Sequence, residues 1–344
     1  MNAWTVMLAG GIGSRFWPLS SMARPKQLLP LIGDETMLGE TLARMAALAP
    51  PERTLILTNA SLAAAVRALA PQVPAENVVA EPQPAGTAAA LAWAAHEIVR
   101  RGGADALLYC VHADWAIGDV ERYRTTLRAA GDAATRHNAL VTVGIVPSRP
   151  DPGFGYIQPG EVLDGAVRRV ARFAEKPNRE RAAEFVAEGY LWNSGIFAWR
   201  AATYLEEVRA HCPEVAPALA AHPADLDAFF AAVTSVSVDV GVLERSANVL
   251  VLPGEFGWDD VGTWAALHRV RVRDASGNAA IGSVHLVDSH DNVVHADGGT
   301  VVLYGVDDLV VVSRRGITMV TTREQSADLK HLLDALPAVV RDRP

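Results

Sequence analysis

Strand-like apolar runs alternate with longer helix-like segments through the first part of the chain, and this alternation constrains the fold more than any other feature. The strand-like runs are Trp4–Ala9, Thr54–Thr58, Asn77–Ala80, Ala106–Val111 and Leu140–Ile145. The helix-like segments between them are Met37–Leu48, Ser61–Leu69, Thr87–Arg101 and Val120–Arg136. Repeated strand–helix–strand crossovers predict a mainly parallel, Rossmann-like sheet flanked by helices on both faces. Because ligands of such sheets bind beyond the carboxyl ends of the strands, the loops that follow the strands are the candidate site.

The pattern changes twice further along the chain. After Pro147 it becomes less regular, with helix-like pieces at Arg179–Glu188, Ala201–His211 and Ala224–Val233. Residues 281–319 are rich in valine and are interrupted by recurring turn residues, which predicts a small β-rich domain. Residues 324–336 then predict a closing helix. We therefore expect an α/β domain over residues 1–270 and a small β-rich domain over residues 271–344.

Charge and cysteine content exclude several classes of protein. The chain has 31 Lys and Arg against 39 Asp and Glu, a net charge of −8, which disfavours binding to nucleic acid. It has no uninterrupted apolar run of about 20 residues, so no membrane span is expected. Two cysteines cannot form a disulfide framework, and the first residues lack the pattern of a signal peptide, so the chain is expected in the cytoplasm. A small phosphate ligand remains compatible with this charge if cations are concentrated locally or a metal ion helps.

A glycine-rich loop follows the first predicted strand and reads Leu8-Ala9-Gly10-Gly11-Ile12-Gly13-Ser14-Arg15. It lacks the Gly-Lys-Ser/Thr ending of a P-loop and the last glycine of the dinucleotide fingerprint. The glycines let backbone amides approach anionic oxygens, while Arg15 and the later Lys26 supply two cations suited to a triphosphate. The alternative is a tight structural turn beside two solvated cations. The candidate nucleotide-binding residues here are Leu8, Ala9, Gly10, Gly11, Gly13, Ser14, Arg15 and Lys26.

Two carboxylates far apart in sequence are candidate metal ligands. Asp114 follows the strand-like run that ends at Val111, and Asp260 lies in a turn next to Gly257. Mg²⁺ characteristically takes one or two carboxylates together with water and substrate phosphates, which suits this pair. The alternative is that both are turn or capping residues. His112 also lies here, and we assign it no catalytic role.

Two short segments are candidates for binding the base and the sugar. Glu81, Gly86 and Thr87 lie between a predicted strand and a predicted helix. A carboxylate only accepts hydrogen bonds, so Glu81 can pair with the N1–H and N2 amino donors of guanine, whereas uracil and thymine suit an amide side chain better. The alternative is that Glu81 is a solvent-facing loop residue. Glu175 and Lys176 offer an acceptor for sugar hydroxyls and a cation for a sugar phosphate, or else a surface ion pair.

Several ordered motifs together resemble those of the sugar nucleotidyltransferases. They comprise the glycine loop with Trp17-Pro18-Leu19 and Pro25-Lys26-Gln27, followed by Phe173–Pro177, Trp192–Phe197 and Phe256–Gly262. The similarity continues into the tail beginning at Gly277 and so covers essentially the whole chain. The details at Trp17–Leu19 and Pro25–Gln27 resemble the mannose-1-phosphate guanylyltransferases of that family. The resemblance implies a C-terminal domain of the β-helix type that helps to form a homodimer.

The resemblance also implies a reaction and a set of roles. The reaction is attack by α-D-mannose 1-phosphate on the α-phosphate of GTP, giving GDP-mannose and diphosphate. Asp114 and Asp260 would bind Mg²⁺, and Arg15 and Lys26 would act on the phosphates of the nucleotide. Glu175 and Asn193 would bind the hexose and Lys176 its phosphate, while Gly155 and Tyr156 would line the sugar pocket.

The sequence departs from the family pattern at two places. Relatives commonly have Asp-His where this chain has Asp114-Trp115, and many guanylyltransferases have Asn-Thr-Ala where this chain has Gly86-Thr87-Ala88. Gly86 resembles the thymidylyl- and uridylyltransferases, so a sister enzyme with another base or hexose remains an alternative. A regulatory paralogue that binds a sugar nucleotide without making it is a second alternative. An additional isomerase activity is not expected, because only residues 271–344 follow the first domain.

Overall fold

Residues 2–11, 15–174 and 176–341 are described by a computed structural model, in which the chain forms two units. The first unit consists of Met1–Gly10, Leu42–Ala113 and Asp119–Trp258. The second consists of Gly11–Thr41, Asp114–Gly118 and Asp259–Pro344. Each unit combines segments that are distant in sequence, whereas the expected boundary divides the chain once, near residue 270. The two divisions cannot be compared directly, so that boundary stays a prediction.

The secondary structure of the described residues is as follows. The strands are β1 (Ala3–Leu8), β2 (Thr54–Asn59), β3 (Val78–Glu81), β4 (Leu107–His112), β5 (Ala116–Ile117), β6 (Leu140–Ile145), β7 (Tyr156–Asp164), β8 (Val167–Ala174), β9 (Leu191–Arg200), β10 (Val249–Gly254), β11 (Trp258–Asp259), β12 (Ala279–Val287), β13 (Val293–Tyr304), β14 (Leu309–Arg314) and β15 (Ile317–Thr322). The α-helices are α1 (Met37–Met45), α2 (Ala63–Leu69), α3 (Gly86–Gly102), α4 (Val120–His137), α5 (Arg179–Ala187), α6 (Ala201–His211), α7 (Ala216–Ala221), α8 (Leu226–Ala232), α9 (Trp264–Val270), α10 (Lys330–Ala335) and α11 (Ala338–Arg341).

The first unit is built on one mixed sheet with the strand order β3-β2-β1-β4-β9-β6-β10-β8-β7. Strands β3, β2, β1 and β4 are mutually parallel, and β6 is parallel to β10. Strand β9 is antiparallel to both β4 and β6, so these two groups of strands run in the same direction. The predicted mainly parallel sheet flanked by helices is therefore confirmed. Strands β7, β9 and β10 were not part of the predicted alternation, because they lie where the sequence pattern is irregular.

The helices of the first unit cover this sheet with a small-residue core. Helix α3 buries a run of alanines from Ala88 to Ala95 together with Trp93, and these pack with Leu108 and Trp199 of the sheet. Helix α4 begins as predicted at Val120, where the Asp119 carboxylate accepts a hydrogen bond from the Arg122 amide. Such a cap stabilises a helix by about 1 kcal/mol. None of the helices in the described part of the chain is both long and apolar enough to cross a membrane.

The second unit is organised around the predicted β-rich tail. Strands β12, β13 and β14 pair in parallel, and β15 pairs antiparallel with β14. Strand β5 pairs with β11, the strand in which the chain passes into this unit. The predicted closing helix is present as α10 and is shorter than expected. The core combines aromatic residues of the glycine-loop segment with the tail, in a cluster that includes Phe16, Trp17, Leu29, Trp264, Leu267, Val293, Val310, Val312 and Met319.

A single buried arginine shows how the tail supports the glycine-loop segment within this unit. The Arg314 guanidinium donates hydrogen bonds to the carbonyl oxygens of Pro18 and Leu19, at 3.3 and 2.6 Å. Trp264 donates its indole N–H to the carbonyl oxygen of Trp17 at 3.2 Å. A buried carbonyl without a donor would cost about 1–3 kcal/mol, so these contacts fix the path of residues 17–19. The segment that carries Lys26 is therefore held by residues almost 300 positions later in the chain.

Candidate functional site

In the first unit, the three strands that precede predicted site residues have their carboxyl ends at one edge of the sheet. Leu8, the last residue of β1, pairs with His112, the last residue of β4. Asn59, the last residue of β2, pairs with Glu81, the last residue of β3. Loops after β1, β3 and β4 thus begin at one edge, which is where parallel sheets bind ligands. The crossover pattern of the sequence predicted this arrangement.

The start of the glycine loop is anchored to strand β2. The Ala9 amide donates to the Leu57 carbonyl at 2.8 Å, and the Thr58 hydroxyl donates to the Ala9 carbonyl at 3.0 Å. Asn59 Nδ2 donates to the Gly10 carbonyl at 2.6 Å. These bonds occupy both carbonyls, so the backbone is fixed as it leaves the sheet. Of the other predicted loop residues, Leu8 is buried at the end of β1, whereas Gly13 and Ser14 lie outside the described residues.

Glu81 is a half-buried carboxylate next to this loop. A Cβ placed on Gly10 would lie 4.0 Å from Glu81 Oε1, which puts the carboxylate in contact range of the loop backbone. Burial raises the pKa of Glu81 to about 7, because removal from water disfavours the charged form. At neutral pH the free protein therefore holds Glu81 as a mixture of acid and carboxylate. A ligand that offers hydrogen-bond donors would draw this mixture toward the carboxylate.

Helix α3 begins with Gly86, where many guanylyltransferases have Asn, and the structure explains the glycine. Gly86 has φ +81°, and a Cβ there would overlap the carbonyl oxygen of Val236. The Ala88 amide donates to that same carbonyl at 3.2 Å, and the Thr87 hydroxyl accepts from the Val238 amide at 2.9 Å. Thr87 and Ala88 thus hold the segment around Val236, which passes close to Gly86. Glycine is required at position 86 by this close approach, whatever the base.

In the second unit, the ammonium group of Lys26 contacts both segments that carry the predicted metal ligands Asp114 and Asp260. Lys26 Nζ lies 2.9 Å from Asp114 Oδ2 and donates to the carbonyl oxygens of Asp260 at 2.6 Å and Val261 at 3.2 Å. These three oxygens match the three N–H donors of an ammonium group. The Lys26 side chain is 11% exposed and that of Asp114 is 29% exposed. One shielded cation therefore brings together two segments that are about 150 residues apart in sequence.

The turn that carries Asp260 is held in an unusual conformation. Val261 has φ +49°, a region that β-branched residues rarely adopt, and its side chain is fully buried. The Val261 amide donates to Asp259 Oδ1 at 2.9 Å, while Asp259 Oδ2 accepts two hydrogen bonds from Arg269, at 2.8 and 3.0 Å. Such strain persists only where surrounding contacts enforce it, and it concentrates at functional sites. Asp259 is therefore a supporting residue of the turn.

Gly262 lies close to both the Asp260 carboxylate and Arg15. A Cβ on Gly262 would lie 2.9 Å from Asp260 Oδ2 and 3.5 Å from Arg15 Nη1. The Asp260 carboxylate and the exposed Arg15 guanidinium consequently flank the same glycine. The carbonyl oxygen of Gly11 accepts a hydrogen bond at 2.9 Å from Nε2 of Gln27, the residue that follows Lys26. The second unit thus brings together Arg15, Lys26, Asp114 and Asp260, the four residues that the sequence suggested for the phosphate site.

The donor set fits a magnesium ion that arrives with phosphates better than a resident metal. Among the described residues, no group of three or more His, Cys, Asp or Glu side chains has the spacing of a metal site. Asp114 and Asp260 provide two carboxylates, and Mg²⁺ commonly takes one or two, with the remaining positions filled by water and substrate oxygens. These two residues would hold the ion. Since Lys26 contacts one Asp114 oxygen, the ammonium and the metal would share that carboxylate.

The predicted sugar side lies in the first unit. The Asn193 amide donates to the Gly155 carbonyl at 2.8 Å, and Asn193 Nδ2 donates to Asp239 Oδ1 at 2.7 Å. Lys176 is exposed and has φ +40°. Glu175 lies outside the described residues. Gly155 and Asn193 are thus brought together, and Asp239 joins them.

On the sugar side, the sequence did not predict the burial of Tyr156 or the contribution of Asp239. The Tyr156 side chain is fully buried, and its hydroxyl bonds to the Asp151 amide and carbonyl at 3.0 and 3.1 Å. Only its backbone is therefore available to line a pocket. Asp239 was missed because no motif marks it. It begins a π-helical turn, Asp239–Leu243, and such turns occur frequently at functional sites.

Comparisons with known proteins cover both parts of the chain. A nucleotidyl transferase family model matches residues 4–277, and a MannoseP isomerase/GMP-like beta-helix domain model matches residues 282–336. Mannose-1-phosphate guanylyltransferase of Escherichia coli (strain K12) is 37% identical over 355 residues, which cover 97% of this chain and 73% of that protein. The alginate biosynthesis protein AlgA of Pseudomonas aeruginosa is 37% identical over 351 residues, covering 97% of this chain and 72% of AlgA.

One solved structure agrees with the fold over nearly its whole length. The crystal structure of mannose-1-phosphate geranyltransferase from Thermus thermophilus matches with a TM-score of 0.90 and 36% identity. The match covers 97% of this chain and 99% of that one. The mixed sheet and the β-rich tail therefore both have counterparts in a known structure.

Proposed function

The chain belongs to the mannose-1-phosphate guanylyltransferase family of nucleotidyl transferases, and we propose that it converts GTP and α-D-mannose 1-phosphate into GDP-mannose and diphosphate. The observation that carries the proposal is the ammonium of Lys26, which contacts Asp114 and the backbone of the Asp260 turn. A cation shared by these segments suits a reaction in which two anionic substrates must meet.

The chemistry requires charge neutralisation and positioning more than proton transfer. The phosphate oxygen of the sugar is already an anionic nucleophile, so the reaction needs no general base. Electrostatic repulsion from the triphosphate is the main barrier. Arg15 lowers it by donating to the nucleotide phosphates, and Lys26, whose own donors contact Asp114 and the Asp260 turn, lowers it through its positive charge. Lys176 supplies a cation for the phosphate of the sugar. Asp114 and Asp260 would hold Mg²⁺, and the bound ion would neutralise further phosphate charge.

The selection of base and sugar rests on residues of the first unit. Glu81, as a carboxylate, accepts from the N1–H and N2 amino groups of guanine. Glu175 and Asn193 bind the hexose hydroxyls, and Asp239 fixes the orientation of the Asn193 amide. Gly86 and Thr87 support the base through the first turn of α3. Gly155 and the Tyr156 backbone line the sugar pocket.

The test is release of diphosphate by the purified full chain, with GTP, ATP, UTP and dTTP each paired with mannose 1-phosphate and glucose 1-phosphate in the presence of Mg²⁺. We expect GTP with mannose 1-phosphate to give the highest kcat/KM. A preference for another nucleotide or hexose would replace the proposal by a sister activity. Binding of GDP-mannose without any diphosphate release would replace it by a regulatory role.

Two further properties are part of the proposal. We expect activity to disappear when divalent ions are chelated and to return on addition of Mg²⁺, as measured in the same assay. We expect a homodimer, because the β-rich tail resembles the domain that pairs in relatives. Size-exclusion chromatography with light scattering distinguishes a dimer from a monomer of 36.6 kDa.

A further inference from the structure

A polar cavity lies within the second unit, separate from the cluster around Lys26. Its volume is about 220 Å³, and it is bordered by residues 19–34 of the glycine-loop segment and by residues of β12 and β13. The charged and titratable side chains that line it are Arg24, Asp34, His295 and Asp297. Neither Arg15, Lys26, Asp114 nor Asp260 is among its lining residues, so the cavity is distinct from the phosphate site proposed above.

Two cations at this cavity, Arg271 and Arg24, have no carboxylate partner among the described residues. Arg271 is 5% exposed and donates to the Leu31 carbonyl at 2.7 Å, to the Val294 carbonyl at 3.3 Å and to His295 Nδ1 at 3.0 Å. All three acceptors are neutral, and burial lowers the pKa of Arg271 to about 9. A buried charge is costly unless an opposite charge accompanies it. An anion in the neighbourhood would therefore be stabilised by Arg271.

Arg24 is a second cation without a carboxylate partner. It is half-buried and lines the cavity directly. Across residues 2–11, 15–174 and 176–341, no carboxylate lies within ion-pair distance of its guanidinium. Arg314 differs, because its Nε lies 3.3 Å from Asp297 Oδ2. The planar donor face of Arg24 is thus available to a ligand in the cavity.

His295 presents a defined hydrogen-bond donor at the same place. Its Nδ1 lies 3.0 Å from Arg271 Nη2, and since arginine only donates, Nδ1 must accept. The proton of the neutral ring is consequently on Nε2. Burial, followed by the charge of Arg271, lowers the pKa of His295 to about 4, so the ring stays neutral near pH 7. Because Nδ1 accepts from Arg271, the ring donor that His295 can offer to the cavity is the Nε2–H.

We propose that this cavity binds the phosphate group of inorganic phosphate or of a phosphate monoester. The Arg24 guanidinium and the His295 Nε2–H hold the phosphate oxygens, and the buried Arg271 supplies a fixed positive charge behind His295. Asp34 and Asp297 also border the cavity, and their carboxylates accept from hydroxyl groups of an ester. A ligand bound here contacts both residues 19–34 and strand β13, so it stabilises the segment that carries Lys26.

The test measures binding of inorganic phosphate and of glycerol 3-phosphate to the full chain by calorimetry, without nucleotide or Mg²⁺. Arg24→Gln removes the charge with little loss of buried surface, and we expect it to weaken binding about tenfold or more, the scale of a charge-assisted hydrogen bond. Arg24→Lys should restore part of the affinity. Arg128→Gln, which removes an exposed arginine on α4, is the matched control and should leave the affinity unchanged.

A variant of the phosphate site separates this inference from the proposed function. Arg15→Ala should leave the phosphate affinity unchanged if the ligand occupies the cavity at Arg24 and His295. Loss of binding in Arg15→Ala together with retention in Arg24→Gln would overturn the inference, and so would failure of the wild-type chain to bind either probe. Tighter binding of glycerol 3-phosphate than of inorganic phosphate would identify an ester as the ligand class, and the reverse would identify the free ion. The outcome does not depend on which sugar nucleotide the enzyme makes.

Discussion

The two units differ in how their candidate site residues are held. In the second unit a cation contacts a carboxylate and two carbonyls, with Lys26 at the centre and Asp114 and the Asp260 turn around it. In the first unit, the described base and sugar residues include the half-buried carboxylate of Glu81 and an amide–carboxylate hydrogen bond between Asn193 and Asp239. The Lys26–Asp114 ion pair is central to one region, whereas Asn193 in the other region is held by individual hydrogen bonds.

This difference predicts which kinetic constant each region controls. Fixed charges act most strongly where charge develops in a transition state, so changes in the second unit should lower kcat. Hydrogen bonds to a base or a sugar are made equally in the ground state and the transition state, so changes in the first unit should mainly raise KM. A variant of the second unit that mainly raises KM, or a variant of the first unit that mainly lowers kcat, would show that the two regions are not specialised in this way.

The largest effect is expected from Asp114→Asn. This change removes the carboxylate that Lys26 contacts and one of the two proposed ligands of Mg²⁺. We expect kcat to fall by roughly two orders of magnitude or more, a scale seen when a preorganised charge is removed. Initial rates of diphosphate release at saturating substrates, with a Mg²⁺ titration, measure it.

The control for this variant is Asp132→Asn, which neutralises an exposed carboxylate on α4. It should leave kcat and the Mg²⁺ requirement unchanged. A near-normal kcat for Asp114→Asn, with an unaltered Mg²⁺ requirement, would remove Asp114 from the proposed mechanism.

Arg15→Ala should have the next largest effect. The Arg15 guanidinium lies beside the Asp260 carboxylate across Gly262 and is exposed, so it is available to phosphate oxygens. Charge-assisted hydrogen bonds contribute about 1.5–3 kcal/mol, which predicts a decrease in kcat of roughly ten- to a hundredfold. Steady-state kinetics with GTP and mannose 1-phosphate measure the change. An increase in KM alone, with kcat retained, would place Arg15 in substrate binding only.

The sequence predicted the sheet and pointed to the phosphate-site residues because both depend on local patterns. Alternating strands and helices are sufficient to place the loops after β1, β3 and β4 at one edge, and motif resemblance singled out Arg15, Lys26, Asp114 and Asp260. The contact between Lys26 and the carbonyls of Asp260 and Val261 was not predictable, because it depends on a backbone turn formed about 230 residues later.

The first unit shows where sequence patterns were insufficient. Tyr156 was expected to line the sugar pocket. Tertiary packing instead buries its side chain, and its hydroxyl bonds to the Asp151 backbone. Asp239 lies in a π-helical turn that has no periodic signature. The raised pKa of Glu81 results from burial, which a sequence motif does not encode.

A pH profile tests the role of Glu81 in the first unit. Burial raises the pKa of Glu81 to about 7 in the free protein, and only the carboxylate accepts both guanine donors. Protons therefore compete with GTP, so affinity should decrease as the pH falls through 7, by about tenfold from pH 8 to pH 6 for a single group of this pKa. Calorimetric titration with GTP measures it, and Glu81→Gln should bind weakly at both pH values. An equal pH response in that variant would assign the titration to another group.

The smallest effect is expected from Asp239→Ala, which tests the sugar side. The Asp239 carboxylate accepts from Asn193 Nδ2 at 2.7 Å and so fixes the amide that we propose to bind the hexose. Loss of one such bond costs about 1 kcal/mol, which predicts that the KM for mannose 1-phosphate rises several-fold while kcat and the KM for GTP stay nearly constant. Asp239→Asn keeps an acceptor for Asn193 and should restore most of the lost affinity, whereas Asp227→Ala, an exposed position on α8, should change nothing. A fall in kcat with unchanged KM would mean that the first unit also contributes to the transition state, and the division between the two regions would then not hold.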